Sequence, residues 1–275
     1  MRLYQKAKRL GVWDPYAIDL SRDRADWLSL TDVQREALLQ LTSLFQAGEE
    51  SVTLDLLPLL LVVAREGRLE EELFLTSFLW EEGKHTEFFR RVLDEVCVET
   101  GDLTRFHAAS YRRLFYEELP EAMGALVEDP SPAAQARAVT TYTMIIEGVL
   151  AETGYYSYFE SLEQHNLLPG VREGVAKLKQ DESRHIAYGV FLLARLVAEN
   201  DVWDVVQTRM EELLPVALGV VEESLSPFPD PPFGLAPEVF IDFATAQFGK
   251  RMARLERART QTLAEVEAEA EVEAV

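Results

Sequence analysis

Two short stretches, "EEGKH" at 81–85 and "DESRH" at 181–185, put a glutamate and a histidine three residues apart in runs that otherwise read as core helices. Positions three apart on an α-helix lie about 300° around its axis, so Glu82 shares a face with His85, and Glu182 with His185. That face is apolar on both sides. Leu75, Phe78, Phe89, Val92 and Val96 continue the first stripe; Val171, Val175, Leu178, Gly189, Leu192 and Leu196 continue the second. Each Glu–His pair fills a hole where two leucines would fit.

Two further stripes carry a single acid each. Leu38, Leu41, Phe45, Val52, Leu56, Leu59 and Val63 recur at helical steps, with one gap filled by Glu49. A run from about Ala133 to Phe159 is apolar nearly all round in "YTMIIEGVLA", with Glu147 alone inside it. Glu50 falls with Gln46 and Thr53 on a more polar flank, which leaves Glu49 as the candidate. Glu81 and Asp181, one residue before the paired glutamates, are expected to face outward or to stand behind the site. His107 and His165 lie outside the four stripes and read as surface or loop histidines, and Cys97 as a small core residue.

Four carboxylates and two neutral imidazoles converging in a core carry a charge that two divalent cations cancel. A metal-free bundle with solvated or paired charges is the plain alternative, but burying such groups unneutralised is costly or forces protonation. Oxygen and imidazole donors suit iron or manganese, whereas zinc more often recruits cysteine. One Glu from each of two helices and Glu-x-x-His from each of two others is the ligand set of the ferritin-like dinuclear carboxylate bundle.

No alternating strand pattern competes with the helices. Residues 104–119 read as an additional helix or long crossover, punctuated by Pro120 and "EDPSP". Two more helices are expected at 201–225 and 237–258, separated by "SPFPDPPFGLAP". The prediction is an all-α chain: one ferritin-like four-helix bundle domain with additional helices over 1–260, then an acidic, disordered tail over 261–275. The formal charge of −21 argues against nucleic acid and anionic membranes as partners. The longest apolar run, "LLPLLLVVA", is broken by Pro58 and too short for a membrane span. One cysteine and no apolar leader fit a soluble cytoplasmic protein.

With the six ligand positions in place, the chain resembles the ribonucleotide reductase small-subunit superfamily, and within it the ligand-binding oxidases that assemble a mixed manganese–iron centre. Three features carry the narrower resemblance. Phe89 stands four residues after His85, where a typical radical-bearing subunit has its tyrosine. The chain is short for a reductase subunit, and its acidic repeat is unlike the aromatic-containing tail that docks the large subunit. Val52 lies three residues after Glu49, and Tyr142 five before Glu147, where the oxidase family joins a valine and a tyrosine by an ether bond.

The resemblance implies Glu49, Glu82 and His85 at a first position that prefers manganese, and Glu147, Glu182 and His185 at a second that takes iron, with two irons as the variant. Glu82 and Glu182 would bridge. It further implies a homodimer, O2 as oxidant, a long-chain fatty acid held against the metals, and two-electron oxidation of a C–H bond. Tyr155, two turns beyond Glu147, is a weaker candidate for a place beside the site. The rival readings are a radical-generating reductase subunit, a ferritin-like metal-binding protein, and another dinuclear hydroxylase or desaturase. On an ideal helix Tyr142 and Glu147 diverge by about 140°, which a π-type distortion would relieve.

Overall fold

The computed structural model describes residues 2–99, 101–262 and 264–266, and all regular structure among them is helical. Helices α1 (Arg2–Leu10) and α2 (Ser21–Ser29) form an N-terminal arm, joined through a 3-10 turn at Pro15–Ala17. Thr31 then starts α3 (Asp32–Asp55) with a capping box. Its hydroxyl accepts from the Gln34 N–H, and its own N–H donates to the Gln34 side chain. Pro58 has no N–H to continue the ladder, so the chain restarts as α4 (Leu57–Arg65) with that proline in its first turn. The stripe from Leu38 to Val63 is therefore shared by two helices.

Helix α5 (Leu69–Arg91) packs along α3 and ends in π-type turns over Val92–Cys97, stopped by Val98 in the left-handed region at φ 55°. The stretch expected to be a helix or crossover is a series of short pieces. These are a 3-10 turn at Thr104–Phe106, α6 (Ala109–Arg112), a π turn at Arg113–Glu118 and α7 (Leu119–Gly124). Pro120 sits in the first turn of α7, where its missing N–H does no harm.

The third bundle rod is continuous but not uniform: α8 (Pro132–Val139), a π-type run Thr140–Ala151, and α9 (Glu152–Glu163). The fourth is α10 (Pro169–Asn200), which packs against the π run, α9 and α5. Gly189 permits that approach, because a Cβ there would collide with the Thr143 side chain. Helices α11 (Trp203–Leu225) and α12 (Pro237–Ala258) lie against the π run, and α1 lies across α5 and α10.

Two apolar clusters bracket the acidic layer. One gathers Val52, Phe78, Tyr142, Ile145 and Leu192; the other gathers Phe88, Phe89, Tyr155, Tyr158 and Leu178. Of the acidic segment 261–275, residue 263 and residues 267–275 lie outside the described residues. Residues 264–266 make a helical turn, with Val266 buried beside Ala194 and Ala258. No described helix is long and apolar enough to cross a membrane.

Candidate metal centre

All six residues singled out in the stripes meet in the middle of the bundle, and all are buried. Glu49, Glu82, His85 and Glu182 each bring one donor atom within 4.8 Å of the others, and so do Glu82, Glu147, Glu182 and His185. Glu82 and Glu182 belong to both groups. The Nδ1 of His85 lies 3.5 Å from Glu49, 3.5 Å from Glu82 and 3.2 Å from Glu182. The Nδ1 of His185 lies 3.2 Å from Glu82, 3.3 Å from Glu182 and 3.8 Å from Glu147.

These approaches are close without having hydrogen-bond geometry. Both carboxylate oxygens of Glu82 and of Glu147, one of Glu182, and both Nδ1 atoms are buried without a hydrogen-bond partner among the described residues. Orphaned buried acceptors on this scale cost too much to be a packing accident. Lone pairs converging from oxygen and imidazole are the donor set that a pair of iron or manganese ions requires, so the residues fit such a centre.

The far side of each imidazole fixes which nitrogen faces inward. His85 Nε2 lies 3.3 Å from Asp181, and His185 Nε2 lies 2.8 Å from Glu81. The bonds cross: each histidine is held by the acid from the opposite helix. An Nε2–H donated to a carboxylate leaves the Nδ1 lone pair free on the inner side, where it could bind a metal. Arg184 bonds both acids, at 2.7 Å to Glu81 and 2.5 Å to Asp181; Lys84 adds a 3.0 Å contact to Asp181 and bonds the Gly11 carbonyl. Trp13 completes the set, its indole N–H donating to Asp181 at 2.8 Å. An outward orientation for Glu81 and Asp181 is thus ruled out; both are fully buried behind the histidines. The cue in the sequence was the repeated order acid–Glu–x–base–His.

The protein groups by themselves set opposing proton affinities. Burial pushes Glu49 and Glu147 well above the usual carboxylate range, and neighbouring carboxylates reinforce it. Burial also resists ionisation of Glu82, but His185 and His85 on either side outweigh it and hold it low. Burial opposes charge on both histidines, and the surrounding carboxylates more than reverse this, raising both. Asp181 stays low because His85, Lys84 and Arg184 overcome its burial.

The π-type run answers the geometric difficulty at Tyr142. With i→i+5 bonding the helix is underwound, which narrows the angle between residues five apart and lets Tyr142 and Glu147 both turn towards the centre. The Tyr142 hydroxyl donates to the Val52 carbonyl at 3.2 Å, one turn along α3 from Glu49. Burial, followed by the charges of Glu82 and Glu147, holds that phenol well above its usual range and therefore neutral. Phe89 is fully buried and stacks on Phe45, which also stacks on Tyr155. The Tyr155 hydroxyl is buried without a partner among the described residues, contrary to the bonded hydroxyl expected of a core tyrosine.

A cavity opens from the centre between α3, the π run with α9, and α11. Val52, Phe115, Ile146, Leu150 and Val220 line its inner part, and the loop after α11 contributes Phe228, Pro232 and Phe233 at the other end. Of the remaining candidates, Glu50 is exposed and bonded to Gln46, and His165 is exposed as read. His107 lies in a loop, one of the two places read for it, but it is buried there, with Nδ1 2.6 Å from the Tyr116 hydroxyl and its ring against Tyr111. Cys97 is half-buried.

Compared with known proteins, the chain matches the family described as ribonucleotide reductase, small chain, over residues 1–255. Among solved structures it resembles an R2-like ligand-binding oxidase with an aerobically reconstituted Mn/Fe cofactor, at 40% identity and a TM-score of 0.89. That match covers 92% of this chain and 91% of the other. A glycine-to-leucine variant of an R2-like ligand-binding oxidase, with an Fe/Fe cofactor, matches at 39% identity and 0.89, covering 92% of each chain.

Proposed function

This chain belongs to the ribonucleotide reductase small-chain family, and we propose that within it the protein works as an O2-activating oxidase holding one manganese, one iron and a long-chain fatty acid. It is a dinuclear metal oxidoreductase of the R2-like ligand-binding type. Glu49, Glu82 and His85 would hold manganese, Glu147, Glu182 and His185 iron, with Glu82 and Glu182 bridging. The same donors accept two irons. The observation that carries this reading is the pair of inward Nδ1 atoms among orphaned carboxylate oxygens.

Bound metals supply the electrons that reduce O2 and the oxidising power to remove an aliphatic hydrogen. The chain supplies a dry and fixed setting. Phe78 stacks on the His185 ring at 3.5 Å between centroids, and the crossed acids lock both imidazoles. Two trivalent ions against four carboxylates leave +2, which a hydroxide and a fatty carboxylate would neutralise. The apolar inner cavity suits the acyl chain.

Tyr142 and Val52 are the pair for an ether cross-link, a role supported by the hydroxyl–carbonyl contact between them. Joining Val52 Cβ to the Tyr142 oxygen removes one hydrogen from each, two electrons and two protons in all, with O2 as oxidant. A radical-bearing subunit is the weaker reading, because Phe89 offers no phenol. Homodimerisation and a cytoplasmic location accompany the proposal.

The test is aerobic reconstitution of apoprotein with equimolar manganese and iron. Anomalous diffraction at both edges should find one ion of each per chain. After trypsin, Glu36–Arg65 should be joined to Ala138–Arg172, lighter by two hydrogens than the summed peptides. Two irons under manganese-replete conditions would reject the mixed centre, and separate peptides would reject the cross-link.

A further inference from the structure

We propose that the ligand is a fatty acid bearing an uncharged hydroxyl at or near the far end of its chain, an inference that rests on reading the cavity as a fatty-acid site. The cavity is mostly apolar, but four polar side chains interrupt its wall away from the acidic cluster. Gln40 from α3, Ser157 and Ser161 from α9, and Ser224 from α11 all line it.

Two of these groups are buried and incompletely bonded. Gln40 is 6% exposed; its amide N–H donates to the Ser224 carbonyl at 3.2 Å, and its side-chain oxygen has no partner among the described residues. Ser161 is 9% exposed, and its hydroxyl makes no hydrogen bond among the described residues. Both oxygens border the open cavity without a protein partner, so a ligand group can pair with them in place of water.

The chemistry selects a donor. Ser157 and Ser224 already give their hydrogens to the carbonyls of Thr153 and Val220, at 2.9 and 2.7 Å, which leaves only lone pairs facing other partners. With the Gln40 oxygen, that makes three acceptors beside the single versatile hydroxyl of Ser161. A ligand hydroxyl can donate its hydrogen to one of these acceptors and accept from Ser161, whereas an ester or ketone can only accept. A second carboxylate is disfavoured, because no Lys, Arg or His lines the cavity.

Position agrees with chain length. Gln40 precedes Glu49 on α3 by about 14 Å of helix, and Ser161 follows Glu147 by roughly 20 Å along its rod. A carboxylate at the metals therefore sets the far end of a long acyl chain among these four side chains.

The experiment uses delipidated, metal-loaded protein and displacement of a fluorescent fatty acid by palmitic, ω-hydroxypalmitic and hexadecanedioic acids. The hydroxy acid should bind about tenfold more tightly than palmitic acid, the worth of one good hydrogen bond. The diacid should bind no better than palmitic acid. In the Gln40→Leu/Ser161→Ala protein the hydroxyl preference should vanish while palmitic acid binds as before. Equal binding of palmitic and hydroxy acids, which a solvent-wetted mouth predicts, overturns the proposal and leaves the fatty-acid reading standing. So does a preference that survives the double substitution, or tightest binding by the diacid. Failure of all three acids to bind overturns both.

Discussion

Asp181 on α10 holds the Nε2 of His85 on α5, 3.3 Å away, although its own helix carries a histidine one turn further on. Asp181 also takes bonds from Trp13, Lys84 and Arg184, so it links the N-terminal arm to both repeats. Asp181→Asn keeps the shape but removes the charge that orients His85. We expect metal affinity to fall about 10–100-fold, the usual worth of a partner behind a metal-bound histidine. Competition with a chelator measures it; affinity within twofold of the native value would show that Asp181 serves only packing.

Metal removal should make stability fall with rising pH. Glu49, Glu147, His85 and His185 all have raised affinities for protons in the folded chain. Their contribution is present below the unfolded values and is lost as pH rises through the folded ones. Glu82, held low, contributes above its unfolded value and loses that contribution on acidification. Metal binding displaces the protons, so the gap in Tm between loaded and metal-free protein should widen from pH 6 to pH 9. A constant or narrowing gap in calorimetry would contradict this electrostatic account.

Gly189→Ala should destabilise the fold although alanine is the better helix former. The added Cβ meets Thr143 on the π run, and forcing the two rods apart costs about 1–3 kcal/mol. Chemical denaturation gives the value. An unchanged midpoint would mean the rods separate freely there.

Burial pushes the Cys97 thiol up to about 12. Little thiolate then exists at pH 8, and the native protein should react with a disulfide reagent far more slowly than the unfolded chain. Equal rates would place the thiol in solvent.

Where a residue interrupts an apolar stripe, its destination is legible beforehand. Glu49, Glu82, His85, Glu147, Glu182 and His185 all reached the centre because a helix turns its neighbours the same way. Glu81 and Asp181 lie about 100° off those stripes, where direction depends on which helix stands opposite. Their ambiguity was tertiary. His107 sits in a loop, as read, but its burial was not legible, since Tyr111 and Tyr116, which pack on it, come from the short helical pieces of the crossover. The break at Leu56 was marked by Pro58, yet the apolar stripe runs through it. The π distortion was foreseeable as a need at Tyr142; its twelve-residue extent was not.

A π-type turn is an α-helix that has taken in a surplus residue, and what has been taken in can be given back. Deleting one residue between Tyr142 and Leu150 would tighten the run towards ordinary helix. Everything after the deletion would swing by about 100°. Leu150, Ser157 and Ser161 would leave the cavity while Tyr142 kept its place beside Val52. The acidic cluster and the cavity are thus geared together by a count of residues, so insertions and deletions in this rod are constrained even where substitutions are mild.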